Sequence, residues 1–270
     1  MSSSIQKDAI DEAQRIISAA NERKIILRLL GGIAFALRSP SAKTERLKRH
    51  YVDIDVMGLR KQRKDINELF LELGYTPRTT FNAMNGHSRL IYNDIGNERR
   101  VDIFLNTFEM SHKFDFTDRM KLHNLTLPLA DLLLTKLQVY EITEREYKDV
   151  IALLKDFNFG TNDDDPNAIN AKYIAKLTSE DWGLWRTVTL NLERIENSLQ
   201  TYVLNEEERS LVNAKIDELR RVIDAEPKSL GWKMRARVGE RVKWYELPEA
   251  DREVVDSRPA VERRAKAEPT

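Results

Sequence analysis

The segment Val52-Asp-Ile-Asp-Val56 lies downstream of the dipeptide Gly31-Gly32 and places two aspartates one residue apart. Alternate residues of a β-strand point to the same face, so Asp53 and Asp55 are predicted to project side by side. Two carboxylates held that close repel each other, which raises the free energy of the doubly ionised pair. A divalent cation removes this repulsion, and Mg²⁺ and Mn²⁺ prefer oxygen ligands of this kind. The pair therefore predicts a metal site.

A third carboxylate, Asp102, lies in the β-branched run Arg100-Val-Asp-Ile-Phe-Leu105. Acidic residues within apolar strands are costly unless they are paired or bound to a metal. If this strand lies beside the first, three carboxylates converge on one spot. A single aspartate in a strand usually just faces solvent, but two at this spacing with a third in another hydrophobic strand favour a functional site.

The dipeptide Gly31-Gly32 follows the β-rich run Ile25 to Leu30 and precedes a short apolar helix. Glycine lets the backbone approach a bulky anion, and a helix N-terminus offers free N–H groups to phosphate. The alternative is an ordinary turn from strand to helix. The position of Gly31-Gly32 upstream of Asp53 favours a phosphate-binding turn instead.

The composition excludes several classes of site. The chain of 270 residues carries 44 basic and 44 acidic side chains, so its formal net charge indicates neither a nucleic-acid nor a membrane partner. Because there is no cysteine, disulfides, zinc–thiolate sites, iron–sulfur clusters and cysteine nucleophiles are excluded. The apolar windows are too short to span a bilayer, and the N-terminus lacks the apolar stretch of a signal peptide. We therefore expect a soluble cytoplasmic protein with no membrane partner; the oligomeric state is left open.

The order of predicted elements indicates an α+β fold, with a small mixed sheet flanked by helices. The first part of the chain is predicted to form a helix over 5–22 capped by Ser3 or Ser4, strands over 25–30, 52–56, 89–92 and 100–105, and helices over 33–37 and 65–73. A mostly helical C-terminal region follows, with helices over 129–140, 143–157, 168–178, 181–203 and 205–225.

Three regions are expected along the chain. The polar break Asn162-Asp-Asp-Asp-Pro166 is the best linker candidate, and it separates residues 1–160 from a helical region over 161–247. Residues 248–270 are polar and predicted to be disordered.

Within the helical region, residues 231–245 are predicted to form paired short strands or an extended arm. In that conformation Lys233, Arg235 and Arg237 share one face. Basic residues with aromatic neighbours can hold RNA. The alternative, which the pattern favours, is a hairpin packed on the helices with a solvated basic face.

Three motifs together, Leu30-Gly-Gly-Ile-Ala34, Asp53-Ile-Asp55 and Val101-Asp-Ile-Phe104, resemble the nucleotidyltransferase superfamily typified by DNA polymerase β. Within it the chain looks most similar to AbiEii-type toxins and minimal nucleotidyltransferases, over roughly residues 25–155. The resemblance implies a nucleotidyltransferase domain over residues 1–160. It also implies that Asp53, Asp55 and Asp102 are catalytic and bind two Mg²⁺ or Mn²⁺ ions, and that Gly31 and Gly32 shape the phosphate loop.

Later segments extend the resemblance to further nucleotide-binding residues. In Leu133-Leu-Thr-Lys-Leu137 and Arg145-Glu-Tyr-Lys-Asp149, Lys136 matches a lysine that approaches the triphosphate and Asp149 an acid that supports the site. Arg49 matches an arginine ahead of the Asp-x-Asp pair. The alternatives are a snorkelling surface lysine for Lys136 and a solvated helix face for Asp149.

The function implied by the resemblance is metal-dependent transfer of a nucleoside monophosphate from a nucleoside triphosphate such as ATP to a hydroxyl acceptor. The acceptor would be RNA, including a tRNA end, a protein or a small molecule, and the protein would be one component of a toxin–antitoxin pair. The chain departs from the pattern at Tyr51, where threonine is usual, at Gly32, often serine, and at Ala152, often aspartate. These departures leave the acceptor open.

Two other functions compete with this hypothesis. One is a non-catalytic nucleotide- or partner-binding protein that kept the fold, and the other is a phosphohydrolase that uses the same metals. Retention of three mutually repelling aspartates argues against the first, and the Gly-Gly turn argues against the second.

Overall fold

The computed structural model describes residues 5–44, 46–202 and 204–247. It confirms the predicted α+β class, because a small mixed sheet flanked by helices is followed by a mostly helical region. Two predictions, the serine cap of the first helix and the disordered tail 248–270, lie outside the described residues.

The sheet-containing part of the chain extends to the hairpin after the fifth strand. Its helices are α1 (Ala9–Glu22), α2 (Gly31–Arg38), α3 (Arg63–Glu72) and α4 (Thr79–Asn85). Its strands are β1 (Leu27–Leu30), β2 (Ile54–Gly58), β3 (Thr76–Pro77), β4 (Arg89–Asp94), β5 (Arg99–Leu105), β6 (Thr107–Glu109) and β7 (Lys113–Asp115).

The helical part follows. Its helices are α5 (Leu129–Leu137), α6 (Glu144–Asp156), α7 (Ala171–Glu180), α8 (Trp182–Ser198), α9 (Glu206–Ala225) and α10 (Leu230–Val238), with the short strands β8 (Asn158–Gly160) and β9 (Ala168–Asn170) between α6 and α7.

Five strands form one mixed sheet in the order β1-β2-β5-β4-β3. Strands β2 and β5 run parallel, and the other neighbouring strands run antiparallel. Helices α1 and α2 pack against the β1–β2 side of the sheet. The register places Asp55 opposite Leu30 on β1 and opposite Asp102 on β5. The sheet thereby brings two of the three predicted carboxylates together.

Two predicted element boundaries are wrong in ways that concern the candidate residues. Strand β2 begins at Ile54, so Asp53 lies ahead of the strand, next to Val52, which is 51% exposed and has no core to pack on. Helix α2 begins at Gly31 rather than at Ile33. Both glycines therefore belong to the first turn of this helix.

The first helix also starts later than predicted. Helix α1 begins at Ala9, because the side chain of Asp8 accepts hydrogen bonds from the N–H groups of Ile10 and Asp11. A side chain that satisfies these otherwise unpaired groups marks the start of a helix.

The predicted strands or extended arm over residues 231–245 are wrong, because residues Leu230–Val238 form helix α10. The side chain of Ser229 accepts a hydrogen bond from the N–H of Trp232 and caps the helix. Trp232 and Arg235, three residues apart, both face inward onto α8, which a strand would not allow. Lys233, Arg235 and Arg237 therefore do not share one face.

One hydrophobic core runs from the sheet into the helical region, including Val56, Leu133, Leu153, Leu192 and Ile216. The polar break 162–166 joins β8 to β9, which pair in parallel. Arg119 donates to both carboxylate oxygens of Asp163 in this break, at 2.5 and 2.9 Å. The division into regions 1–160 and 161–247 stays a prediction.

Among the described residues, none of the helices combines the length and the apolar character needed to cross a lipid bilayer.

Candidate functional site

A cavity of about 580 Å³ lies against the sheet, the β6–β7 hairpin and helix α5. Four of the predicted site residues, Gly31, Asp55, Asp102 and Lys136, line it. The other four do not line it, but each lies next to another predicted residue or a cavity residue: Asp53 next to Arg100, Gly32 next to Arg49, and Arg49 and Lys136 both next to Asp149.

The backbone of Gly31 passes directly over the carboxylate of Asp55. Gly31 has φ of +65°, and a Cβ atom at this position would lie 2.1 Å from Asp55 Oδ2. Any larger residue would therefore collide with the carboxylate and also adopt a strained backbone conformation. The first turn of α2 has no side-chain cap, which leaves backbone N–H groups beside this carboxylate for an anionic ligand.

Gly32 is held equally close to Arg49. A Cβ atom on Gly32 would lie 2.0 Å from Arg49 Nη2 and 3.0 Å from the ring of Tyr51. The guanidinium carbon of Arg49 lies 5.2 Å from the Tyr51 ring centroid, within the range of a cation–π interaction. Gly32 and Tyr51, two of the departures from the family pattern, thus share one neighbour, Arg49. Its guanidinium fills the space that a serine side chain at position 32 would occupy and packs on the ring of Tyr51.

Asp102 is buried, with 1% of its surface exposed, and two arginines neutralise it. Arg89 Nε donates to Asp102 Oδ1 at 2.9 Å, and Arg100 Nε lies 2.7 Å from Asp102 Oδ2. Arg100 also reaches Asp53, with its Nη2 3.3 Å from Asp53 Oδ2. Asp53 is 43% exposed and is connected to Asp102 through this guanidinium.

Asp55 lies in an electrostatically unfavourable position. Burial, together with the nearby carboxylate of Asp102, raises its pKa to about 6, although Lys136 opposes both effects. At neutral pH the protein therefore holds an ionised carboxylate in surroundings that disfavour its charge. A bound cation would relieve this strain.

Lys136 and Asp149 form a buried ion pair next to the cavity. Lys136 Nζ lies 3.0 Å from Asp149 Oδ2 and 3.6 Å from Glu146 Oε1, and Arg49 Nη2 donates to Asp149 at 2.8 Å. Burial raises the pKa of Asp149, although Lys136 and Arg49 oppose that effect. With 9% and 2% of their surfaces exposed, Lys136 and Asp149 are neither a snorkelling lysine nor a solvated helix face.

The structure adds residues that the sequence interpretation missed. Arg89 and Arg100 line the cavity and neutralise Asp102. Arg100 precedes Asp102 by two residues on β5, so the alternation of a strand was a usable signal for a shared face. No comparable signal existed for Arg89, because its position depends on the pairing of β4 with β5. Glu146 was readable as the third residue of α6 in a capping box with Thr143.

One wall of the cavity is aromatic. The rings of Phe104 and Phe108 meet edge to face with centroids 5.0 Å apart, and the Arg89 guanidinium lies 5.0 Å from the Phe104 centroid. Aromatic rings and guanidinium groups of this kind provide stacking surfaces for flat ligands such as nucleobases.

The donor set fits a divalent cation in part. Within residues 5–44, 46–202 and 204–247, no three His, Asp or Glu side chains are gathered closely enough to hold a metal ion. Asp55 and Asp102 do offer hard oxygen ligands side by side, and the raised pKa of Asp55 favours a cation there. Arg100 places a positive group between Asp53 and Asp102. The predicted two-ion site of Asp53, Asp55 and Asp102 stays a prediction.

No protein-family model and no curated protein matches the chain. Among solved structures, the solution structure of the antibiotic-resistance factor ANT(2'')-Ia matches it with 14% identity, over 52% of this chain and 80% of that chain, at a TM-score of 0.34. A match of that TM-score carries no conclusion about function, which therefore has to be inferred from the site itself.

Proposed function

We propose that the protein is a nucleotidyltransferase, which transfers a nucleoside monophosphate from a nucleoside triphosphate to a hydroxyl acceptor. The observation that carries the proposal is the placement of the Gly31 backbone on the Asp55 carboxylate, beside Asp102 and at the uncapped start of α2. In this arrangement the Gly31 backbone, which is suited to phosphate, and the carboxylates of Asp55 and Asp102, which are suited to a cation, line the same cavity. The sequence motifs that resemble the nucleotidyltransferase superfamily contain the same residues.

Each part of the site has a role in that reaction. The first turn of α2 binds phosphate oxygens through its N–H groups, and Lys136, which lines the same cavity and interacts with Asp55, neutralises triphosphate charge. Asp55 and Asp102, side by side in the sheet, would hold Mg²⁺ or Mn²⁺, and Asp53 would join them once Arg100 moves from between it and Asp102. When bound, such ions stabilise charge on the attacking and leaving oxygens. The acceptor hydroxyl loses its proton to solvent and its oxygen attacks the α-phosphorus, so that a new P–O bond forms while the bond from the α-phosphorus to the α–β bridging oxygen breaks and pyrophosphate leaves.

The charge of the cavity supports a polyanionic ligand. Its lining includes the cationic side chains of Arg60, Arg89, Arg100, Lys113 and Lys136 and the acidic side chains of Asp55, Asp102, Glu109 and Glu146. The five cations exceed the four acids by one, which favours a triphosphate, and a strand of RNA could stack a base on the Phe104–Phe108 wall. We therefore propose RNA as the acceptor, ahead of a protein hydroxyl. A toxin–antitoxin role is supported by the sequence resemblance alone.

A second candidate function is a non-catalytic binding protein that kept the fold. One observation favours it: Arg89 and Arg100 already neutralise Asp102 without a metal. A protein that only binds nucleotide, however, gains nothing from an Asp55 carboxylate whose charge is disfavoured. An assay of nucleotidyl transfer distinguishes the two functions.

The proposal is tested by incubating the purified full chain with each α-³²P-labelled nucleoside triphosphate, Mg²⁺ or Mn²⁺, and separated RNA, protein and small-molecule fractions of a cell extract. We expect label from at least one nucleotide to enter the RNA fraction, with release of pyrophosphate and complete loss of transfer in EDTA. Label in protein or in a small molecule would correct the acceptor but keep the reaction. Hydrolysis without transfer would indicate a phosphohydrolase, and no reaction with any nucleotide would favour the binding protein.

Substitution of Lys136 by methionine is expected to weaken binding of Mg²⁺–nucleotide at least about tenfold, because one charge-assisted contact to the triphosphate is lost. Lys155→Met is the matched control. The side chain of Lys155 is 12% exposed, like that of Lys136 at 11%, and pairs with Glu208 at 2.7 Å, but it does not line the cavity. Both variants should lose a similar free energy of unfolding, about 1–3 kcal/mol. Equal nucleotide affinity in the two variants would remove Lys136 from the binding site.

A further inference from the structure

Helix α10 presents a solvent-exposed face that combines large aliphatic side chains with cations. Leu230, Met234 and Val238 follow one another at every fourth residue and are 78%, 65% and 40% exposed. At 100° per residue they form a single stripe along the helix. Lys233 and Arg237, both exposed, lie along one edge of that stripe. These five residues are called the α10 face.

The opposite side of α10 packs on the rest of the protein, which leaves the α10 face exposed to solvent. Trp232 packs edge to face on Trp185 with ring centroids 5.2 Å apart, and the Arg235 guanidinium lies 4.6 Å from the Trp182 centroid. The N–H of Ser229 donates to the carbonyl oxygen of Ser179 at 3.0 Å. These contacts fix which side of the helix faces solvent.

The charge of the α10 face is locally unbalanced. Among the described residues, no ion pair is formed by the side chains of Lys233 or Arg237. The nearby acid Glu240 is engaged by Arg186, with 2.5 Å between Oε1 and Nε. A chain whose formal net charge is zero thus concentrates unpaired positive charge beside an exposed apolar stripe.

We propose that the α10 face is a docking surface for an acidic amphipathic helix of a partner protein. A row of aliphatic residues spaced by four is a ridge of the kind that packs into the groove of another helix. Asp or Glu side chains flanking the partner's apolar residues would meet Lys233 and Arg237. The partner helix would then bury the apolar stripe of the α10 face, and its acidic side chains would pair with the cations.

Two other occupants match only one half of this face. Nucleic acid would use the cations, but the tryptophans that stack on bases are turned inward onto α8, and exposed aliphatic groups gain nothing from phosphate. A membrane surface would use the aliphatic stripe, but the aromatic side chains that settle at lipid interfaces are likewise packed inside.

The α10 face is connected to the cavity by a short segment of the chain. The segment 242–247 runs from α10 to the cavity wall: Tyr245 stacks on Tyr140 with centroids 3.6 Å apart, the Glu246 N–H donates to the Ser111 carbonyl at 3.0 Å, and Leu247 lines the cavity. A partner bound to α10 is therefore joined to the cavity by one short, packed segment.

The test measures fluorescence anisotropy of a synthetic helical peptide, with leucine at every fourth position and flanking glutamates, on titration with the full chain. We expect saturable binding, weakened at least about tenfold by Met234→Glu. Met84→Glu is the matched control, because Met84 is another exposed methionine, at 73%, on the distant helix α4. It should leave binding unchanged.

Charge exchange makes the test specific. The double variant Lys233→Glu with Arg237→Glu should reject the glutamate peptide and bind a matched lysine peptide. No binding of the glutamate peptide up to about 1 mM, or equal binding by Met234→Glu, would overturn the proposal. It would also be overturned if Met234→Glu instead abolished binding of oligouridine or phosphatidylserine vesicles, or abolished self-association of the chain.

Discussion

Asp55→Asn is expected to abolish nucleotidyl transfer and, at the same time, to stabilise the ligand-free protein at neutral pH. Loss of a carboxylate that we propose as a metal ligand should lower transfer by at least about a thousandfold. The gain in stability follows from the raised pKa of Asp55, about 6 against an ordinary 3.8, for which burial is the main cause. A residue that is costly to the fold and indispensable to activity is a functional residue.

The sign of the pH dependence follows from the protonation states. Below about pH 4, Asp55 is protonated in both the folded and the unfolded chain, so the substitution changes little. Between about pH 4 and pH 6 the unfolded chain ionises more readily than the folded one, and the folded protein loses stability as pH rises. Above pH 6 the cost is fully present. The shift corresponds to about 3 kcal/mol, or roughly 2 kcal/mol with screening by water in the cavity.

Denaturant unfolding of the wild type and Asp55→Asn at several pH values checks this prediction. Asp55→Asn should be more stable by about 1–3 kcal/mol at pH 8 and indistinguishable at pH 3.5. Mg²⁺ should reduce the difference, because it relieves the same charge in the wild type. A variant that is less stable than the wild type at pH 8 would show that Asp55 supports the fold rather than a ligand.

Gly31→Ala is expected to cost both stability and activity. The new methyl group would lie 2.1 Å from Asp55 Oδ2, on a residue whose φ is +65°. Backbone strain alone costs about 1 kcal/mol, and displacement of the carboxylate and of the first turn of α2 adds to it, for a total of roughly 3 kcal/mol. Because the phosphate turn and the carboxylate move together, transfer should fall at least about a hundredfold.

Gly239→Ala separates the two contributions. Gly239 has a nearly equal φ of +61°, but among the described residues no atom beyond its chain neighbours lies within 4 Å of the position that its Cβ would take. This control should lose only the strain energy and keep full activity. In an Asp55→Ala background, Gly31→Ala should lose much of its destabilising effect, since the carboxylate is absent. Equal stability losses for Gly31→Ala and Gly239→Ala would contradict the close contact.

The sequence was informative where local pattern and position along a strand determine geometry. Glycines before a helix and acids in apolar runs predicted that Gly31, Asp55 and Asp102 belong together, and the register of β2 with β5 places them so. The capping boxes at Thr143 and Asn205 also depend on local pattern, because each joins residues only three apart.

The remaining features depend on contacts between distant parts of the chain. Asp53 fits a strand by alternation, but Val52 finds no core to pack on, and the strand begins after both residues. The alternating residues of α10 fit a strand equally well, and the helix is favoured by contacts with α8, including the edge-to-face packing of Trp232 on Trp185. The Arg89 contact with Asp102 requires the pairing of β4 with β5, which no local pattern specifies.

The central claim is that the cavity at Gly31, Asp55, Asp102 and Lys136 binds a nucleoside triphosphate together with a divalent cation. Calorimetric titration of the full chain with non-hydrolysable α,β-methylene nucleoside triphosphates tests it without knowledge of the acceptor. The account predicts binding of at least one nucleotide in Mg²⁺, loss of binding in EDTA, and at least about tenfold weaker binding by Asp55→Asn and Asp102→Asn but not by Gly239→Ala. Failure of the wild type to bind any nucleotide, or unchanged affinity in both aspartate variants, would contradict it.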